Sequence, residues 1–385
     1  MPEQRSGAHP LAEGALPDGG AHPAEAVADA SGSAPATEAS TAGRAWRPVA
    51  ELAVRIGLIA LVTLTLFAWP AARMAPRDLP IGLAGPEQAT TGIARALTAS
   101  DADAFEIHRY ADEAAARAAI TEREIYGAVV AGPDGMKLLT ASAAGPAVAQ
   151  ALQQGVAQLQ APQGDQGQGQ GQPGAPGAVA PLQVEDVVPL PAEDPRGAAL
   201  ASLLLPLSLS GVGAGALAHL GVRGGRGPRI AAVLAAAVTA GLVGVAVVQG
   251  WLGALGGNWL VNAGVLALIV TAVGCLVAGL ARLWGTAGLA VGAVLVVLIG
   301  NPFSGVTSAP ELLPEPAGLI GSLLPLGAGA SLLRSTSYFD GAGAAVPLEV
   351  LLVWSLLGLS LLVVAGNRPA TAAAPAGRAS SRVEA

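Results

Sequence analysis

Few residues in this chain are of a type that could do chemistry, and their spacing argues against most of it. His9 and His22 sit in an opening stretch rich in Ala, Pro and Gly, with no Cys or carboxylate cluster at metal-ligand spacing. His108 has no Ser or Cys nucleophile motif beside it and reads as a structural or exposed imidazole. Lys137 is the one lysine, and Leu138 follows it, so the Gly-rich loop with Lys and Ser or Thr that cradles phosphates is missing. The carboxylate pairs Glu185-Asp186 and Glu193-Asp194 are adjacent in a stretch that reads as exposed linker, which suits solvating charges better than an acid/base pair. Cys275 is alone inside an apolar run and supports no disulfide framework. With no nucleophile, metal set, acid/base pair or cofactor motif, the expectation is a protein that is not an enzyme and carries neither cofactor nor metal.

The most informative spacing lies between 301 and 346. Asn301-Pro302-Phe303-Ser304-Gly305 comes first, then Glu311-Leu-Leu-Pro-Glu-Pro316, then an apolar run from Ala317 to Leu333. Pro325, Gly327 and Gly329 interrupt that run at its centre, and Arg334 with Tyr338-Phe339-Asp340-Gly341 closes it. The interruption predicts two half helices that dip and return, with backbone shielded by protein or a watery cavity. An interfacial loop that merely caps the helices beside it is the other reading of the same residues.

The elements that must position this loop are apolar and long. Hydrophobic residues make up 52% of the chain and charged residues 12%, against about 25% charged in an ordinary soluble domain. Runs such as 230–248, 260–281 and 287–299 contain no Asp, Glu, Lys or Arg. At about 1.5 Å rise per residue they cross or nearly cross a roughly 30 Å hydrocarbon layer, where backbone amides must be satisfied within a helix. Six transmembrane helices are expected: 52–72, 198–222, 230–251, 260–281, 283–300 and 348–366. The first has Arg44, Arg47 and Arg55 on one side and is bracketed by Trp46 and Trp69, and it starts too late to be a cleaved signal peptide. Apart from Glu349 at the very start of the last span and the Cys275 thiol, His219 is the ionisable residue of the other five; it lies near a helix end close to Arg223 and reads as interfacial rather than as a proton relay. Trp251, Trp259 and Trp284 fall at expected interfaces, whereas Trp354 does not and is assigned to packing. Gly211 with Gly215, Gly288 with Gly292, and Gly241, Gly244, Gly274 and Gly279 let helix backbones approach closely in a packed bundle.

Between the first run and the rest lies a water-soluble segment, 73–196, which holds 15 of the 27 acidic residues. Strands are expected at 79–84, 105–110, 126–131, 137–140 and 182–188. Helices are expected at 87–97, 112–120 and 146–160, the second supported by a Glu113 to Arg117 pair at i,i+4. This alternation implies a small α/β layer fold covering 73–161. The Gln/Gly-rich stretch 163–177 lacks side chains to pack and reads as a tether; 1–46 reads as a cytoplasmic tail, disordered to about Gly43, and 367–385 as a second cytoplasmic tail.

Charge placement orients the scheme. Arg223, Arg226 and Arg229 share one short connection, Arg282 lies in the next turn but one, and Arg368, Arg378 and Arg382 follow the last run. If the first helix starts in the cytoplasm, all of these are cytoplasmic, while Glu311, Glu315, Asp340 and Glu349 are outside. Arg334 is the basic residue in this half that the scheme places outside. The expected fold class is thus an α-helical polytopic membrane protein of six transmembrane helices with an inserted extracytoplasmic α/β domain, multi-pass in the plasma membrane with both termini cytoplasmic. No basic cluster interleaved with aromatic residues suggests nucleic acid as a partner.

The order of one helix, a large extracytoplasmic domain and five helices, with the 79–97 and 105–131 strand-helix opening and the Asn301 to Gly305, Leu323 to Gly329, Arg334 and Tyr338 to Gly341 series, resembles permeases of type-two ABC exporters. It is most similar to the phage-infection-protein branch found in Gram-positive bacteria. The resemblance spans about 52–366. It implies a homodimeric or heterodimeric subunit in membrane lipid that moves amphipathic or envelope-directed molecules outward, with a separate ATP-binding-cassette ATPase. It also implies that the segment before the last helix forms re-entrant extracellular elements. Such permeases meet their ATPase through a substantial cytoplasmic coupling helix, and the matching segment here, 222–229 with Arg223, Arg226 and Arg229, is short and Gly-rich. A non-transporting envelope scaffold or receptor acting through the extracytoplasmic domain is the competing function.

Overall fold

A computed structural model describes residues 38–99, 102–133, 135–160 and 182–364. His9, His22, the tether at 163–177 and the tail at 367–385 lie outside the described residues. The chain forms two units, Met1–Leu58 and Ile59–Ala385. Helix α1, Glu38–Ala72, begins in the first and ends in the second. It starts well before 52, so 38–43, expected to lack order, is helical; extending an existing helix through Ala-rich sequence avoids the cost of a new nucleus. In the first unit an exposed Arg55–Glu51 pair at 3.3 Å lies along it.

Within the second unit, an α/β module follows α1. Its elements are β1 (Leu79–Ala84), α2 (Glu87–Thr98), β2 (Phe105–Tyr110), α3 (Glu113–Thr121), β3 (Gly127–Gly132), β4 (Gly135–Thr140), α4 (Pro146–Gln160) and β5 (Gln183–Asp186). Asp112 caps α3 by accepting from the Ala115 amide at 2.8 Å, satisfying one of the donors a helix start leaves open. The sheet order is β2-β1-β3-β4-β5. β1 runs parallel to both β2 and β3, β3 and β4 form the antiparallel hairpin, and β5 lies parallel to β4 at the edge. Each face of the sheet carries its own apolar core, one around Leu79, Leu83 and Leu138, the other around Ile120, Ile125 and Leu139.

The helical part contains α5 (Ala198–Leu220), α6 (Arg226–Val245), α7 (Trp259–Trp284), α8 (Thr286–Ala293), the short α9 (Asn301–Phe303), α10 (Ala317–Leu323), α11 (Pro325–Tyr338) and α12 (Ala345–Val364). α6 ends in a π turn, Ala246–Trp251, and a second π segment, Val294–Gly300, joins α8 to α9. Among the described residues, six helical stretches are long and apolar enough to cross a bilayer: Trp46–Ala72, Ala198–Leu220, Arg226–Trp251, Trp259–Trp284, Thr286–Phe303 and Ala345–Val364. Asp194 starts α5 by accepting from the Ala198 and Ala199 amides at 2.9 and 2.8 Å, and Asn258 starts α7 likewise from Leu260 and Val261. Asp194 is therefore a helix cap, not the solvating charge its sequence neighbourhood suggested.

α7 is the axis of the bundle. Of its most apolar stretch 72% is buried, against none for α1, and α5, α6, α8 and α12 all pack on it. Small residues make this possible: a Cβ on Gly215 would stand 2.7 Å from the Gly274 carbonyl oxygen, and one on Gly279 would stand 2.8 Å from that of Gly358. The glycines that stood out in the sequence thus serve packing inside one chain. The π turn of α6 reaches α7 through Asn262, fully buried, whose amide donates to Gln249 and to the Gly256 carbonyl while its oxygen accepts from Thr336.

Candidate functional site

The described residues bring the 301–346 segment and the α/β module together. The fifth apolar stretch continues through Phe303, so Asn301, Pro302 and Phe303 are helical rather than loop. Asn301 donates from its amide to the Val297 carbonyl and, at 3.4 Å, to Ser208 on α5. Phe303 is buried and meets Trp69 edge to face, with ring centroids 6.3 Å apart. Ser304 then donates to the Asn301 carbonyl, and Gly305 turns the chain in the left-handed region that L side chains resist.

From Gly305 the chain runs up the module. The Ala75 and Arg77 amides donate to the Leu312 and Glu311 carbonyls, and Arg77 adds a guanidinium bond to Leu312. Ala309 and Leu312 insert into the core on one face of the sheet. Phe339, just past α11, inserts into the core on the other. The two ends of the segment therefore plug both faces of the module.

Between those plugs α10 and α11 meet at an angle of 74°. The sequence placed the interruption on Pro325, Gly327 and Gly329 together, and the structure corrects this. Only Leu324 is extended, at φ −89° and ψ 153°, as the residue before a proline tends to be, and Pro325 opens α11 at the first-turn position where its missing N–H costs nothing. Gly327 and Gly329 are helical; they are small because the Gly321 carbonyl and the Ile269 side chain lie where a Cβ would go. The exposed carbonyl of Leu323 at the bend accepts from Trp354 Nε1 at 2.7 Å, which supplies the role that the sequence left to packing alone.

Polar side chains converge on the module side of this bend. Arg123, half-buried at φ +63°, donates to the Ser331 carbonyl at 3.1 Å and to Ser335 Oγ, and its guanidinium lies over the Phe339 ring at 5.4 Å. Tyr126 Oη donates to Glu311 Oε2 at 2.8 Å. Burial first, then the Glu311 carboxylate, pushes the Tyr126 phenol well above its ordinary pKa, so it stays a donor. Burial first, then neighbouring Arg334, draws the Arg123 guanidinium down to about 10, still charged at neutral pH. Arg334 is 5% exposed and donates from Nη2 to the Val306 carbonyl at 3.0 Å. Tyr338 Oη donates to the Ala254 carbonyl, while Asp340 is exposed at φ +49° and the Gly341 amide donates to Ser335. Arg123, Tyr126, Ser304, Glu311, Ser331 and Arg334 all line one cavity of about 370 Å³.

The sequence singled out Arg334 and Ser304 but not Arg123, Tyr126 or Glu311 as partners. Their signal was weak, since nothing local pairs 123 with 335 or 126 with 311. A second group was also missed: Glu185 is not a linker charge but sits on β5, where Arg117 and Lys137 bridge it to Glu113 at 2.6 to 2.8 Å. Of the expected coupling loop, only Arg223 lies in the connection, which is 221–225; Arg226 and Arg229 belong to the first turn of α6, with Arg229 Nε donating to the Val222 carbonyl. Among the described residues no group of three or more His, Cys, Asp or Glu is placed to hold a metal. Neither a protein-family model, a curated protein nor a solved structure matches the chain.

Proposed function

We propose that the protein is a multi-pass plasma-membrane permease subunit that moves amphipathic or envelope-directed molecules outward, its α/β module on the outer face and both termini in the cytoplasm. The observation that carries this reading is the cavity of about 370 Å³ enclosed where the module docks on the α10–α11 bend. A binding module on a tether needs no such coupling; here Ala309, Leu312 and Phe339 make the module and the helices one packing unit. The arginine pattern at 223, 226, 229 and 282 supports the orientation. In this reading α10 and α11 are re-entrant half helices, shielded by α7, α12 and the module, and energy comes from a separate ATPase.

The short connection at 221–225 favours one other reading, an envelope scaffold or receptor that engages no ATPase. Native complexes extracted in mild detergent separate the two. Co-purification of an ATP-binding-cassette protein, together with lost efflux of amphipathic dyes in a deletion strain, is expected. Complexes free of any ATPase, with efflux unchanged, would contradict the permease reading.

A further inference from the structure

The cavity at the α10–α11 bend has a chemical bias. Two guanidinium groups, Arg123 and Arg334, reach it and lie close enough to act on each other's charge. Neither has a carboxylate within ion-pair distance among the described residues. Glu311 is the one carboxylate directed into the group; it accepts from Tyr126, and its single charge acts on both guanidinium groups, which leaves the pair an excess positive charge. Glu124, also on the wall, is exposed and acts on Tyr110. Arg123 is largely satisfied by Ser331, Ser335 and the Phe339 ring. Arg334 is not: a guanidinium has five N–H donors, and among the described residues this side chain forms a single bond, to the Val306 carbonyl. Arg334 is 5% exposed and lines the cavity, so its remaining charge and donors face whatever fills that space, and an anion there is favoured over an apolar group.

The opposite wall is apolar and leads outward. Ala328 is fully buried, while Leu323 and Val346 are exposed at the rim and Pro347 is half-buried beside them. Buried cations at one end and an exposed apolar rim at the other match a molecule with an anionic head and a hydrocarbon tail. The geometry points to an anionic amphiphile, with a phosphate or carboxylate head held by Arg334 and Arg123 and a chain leaving past Leu323 and Val346. This deepens the permease reading, on which it rests for the ligand's role but not for its binding.

The test uses the full chain in detergent with dioctanoyl phosphatidate, dioctanoyl phosphatidylcholine and inorganic phosphate as probes, binding followed by titration calorimetry. Saturable phosphatidate binding is expected, at least tenfold tighter than either other probe. Arg334→Gln should weaken it at least tenfold, as expected for loss of a charged hydrogen bond, with Arg334→Lys intermediate because the ammonium keeps the charge without the fork. Should Arg334→Gln fail to fold, Val346→Trp at the exposed rim carries the test, and it too should weaken phosphatidate binding several-fold. Equal binding of the two lipids, phosphate competing as well as phosphatidate, or both variants binding like the parent would overturn the site. Binding that depends on Arg334 in a protein that exports nothing keeps the site and removes the permease reading; export that ignores Arg334 does the reverse.

Discussion

At the scale of single residues, the charges that matter are those whose partners come from distant parts of the chain. Glu185 is the clearest case. Arg117 and Lys137 pull its carboxyl down to about 2, and they lower Glu113 as well. An unfolded glutamate titrates near 4.3, so the folded state binds fewer protons and the network's contribution is complete above about pH 4.3. It is lost as pH falls toward 2. The groups are partly exposed, so the effect is screened and shrinks with salt. The exchange protection of amides 184–186, the edge strand these charges pin to β4, measured against the rate of an unstructured peptide at the same pH, should fall between pH 4.3 and 2, and Glu185→Gln should remove that step. Protection that stays constant across the window would show that the network does not hold β5. Adjacent carboxylates in a polar stretch gave no hint of this, because ion pairing is set by strand register, Lys137 opposite Gln183 and Leu139 opposite Glu185.

Among the elements, periodicity made the strands and helices of the module and the apolar helices legible from local sequence, with ends shifted by a few residues. What local sequence does not carry is how an element ends against a neighbour. α8 and α9 reach Phe303, whose ring meets Trp69, and α6 starts at Arg226, with Pro228 in the first turn, where a missing N–H breaks no intrahelical bond. The bend was legible as a bend, yet its cause is one residue, Leu324 ahead of Pro325, while Gly327 is there for proximity. That distinction is testable. Gly327→Ala should force α10 and α11 apart, since backbone rather than a flexible side chain stands in the way, and overpacking of this kind costs about 1–3 kcal/mol. A lowered thermal midpoint with unchanged helix content is expected. A variant as stable as the parent would mean that the pair has room to separate.

For the whole molecule, the arrangement is a bundle built around α7 whose broken helix pair is locked to a five-stranded module by residues on both sides of the sheet. Six apolar helices were legible from composition and run length; the docking was not, because it joins 123 to 335 and 126 to 311 across some two hundred residues. If those helices cross the bilayer as proposed, the module and the cavity lie outside and the 221–225 connection lies within. Exposed Glu122 and Arg223 report on the two sides. In a Cys275→Ser chain, Glu122→Cys should react with an impermeant maleimide on intact cells, and Arg223→Cys should react only after the cells are opened. Labelling of Arg223→Cys on intact cells, or protection of Glu122→Cys, would contradict the account.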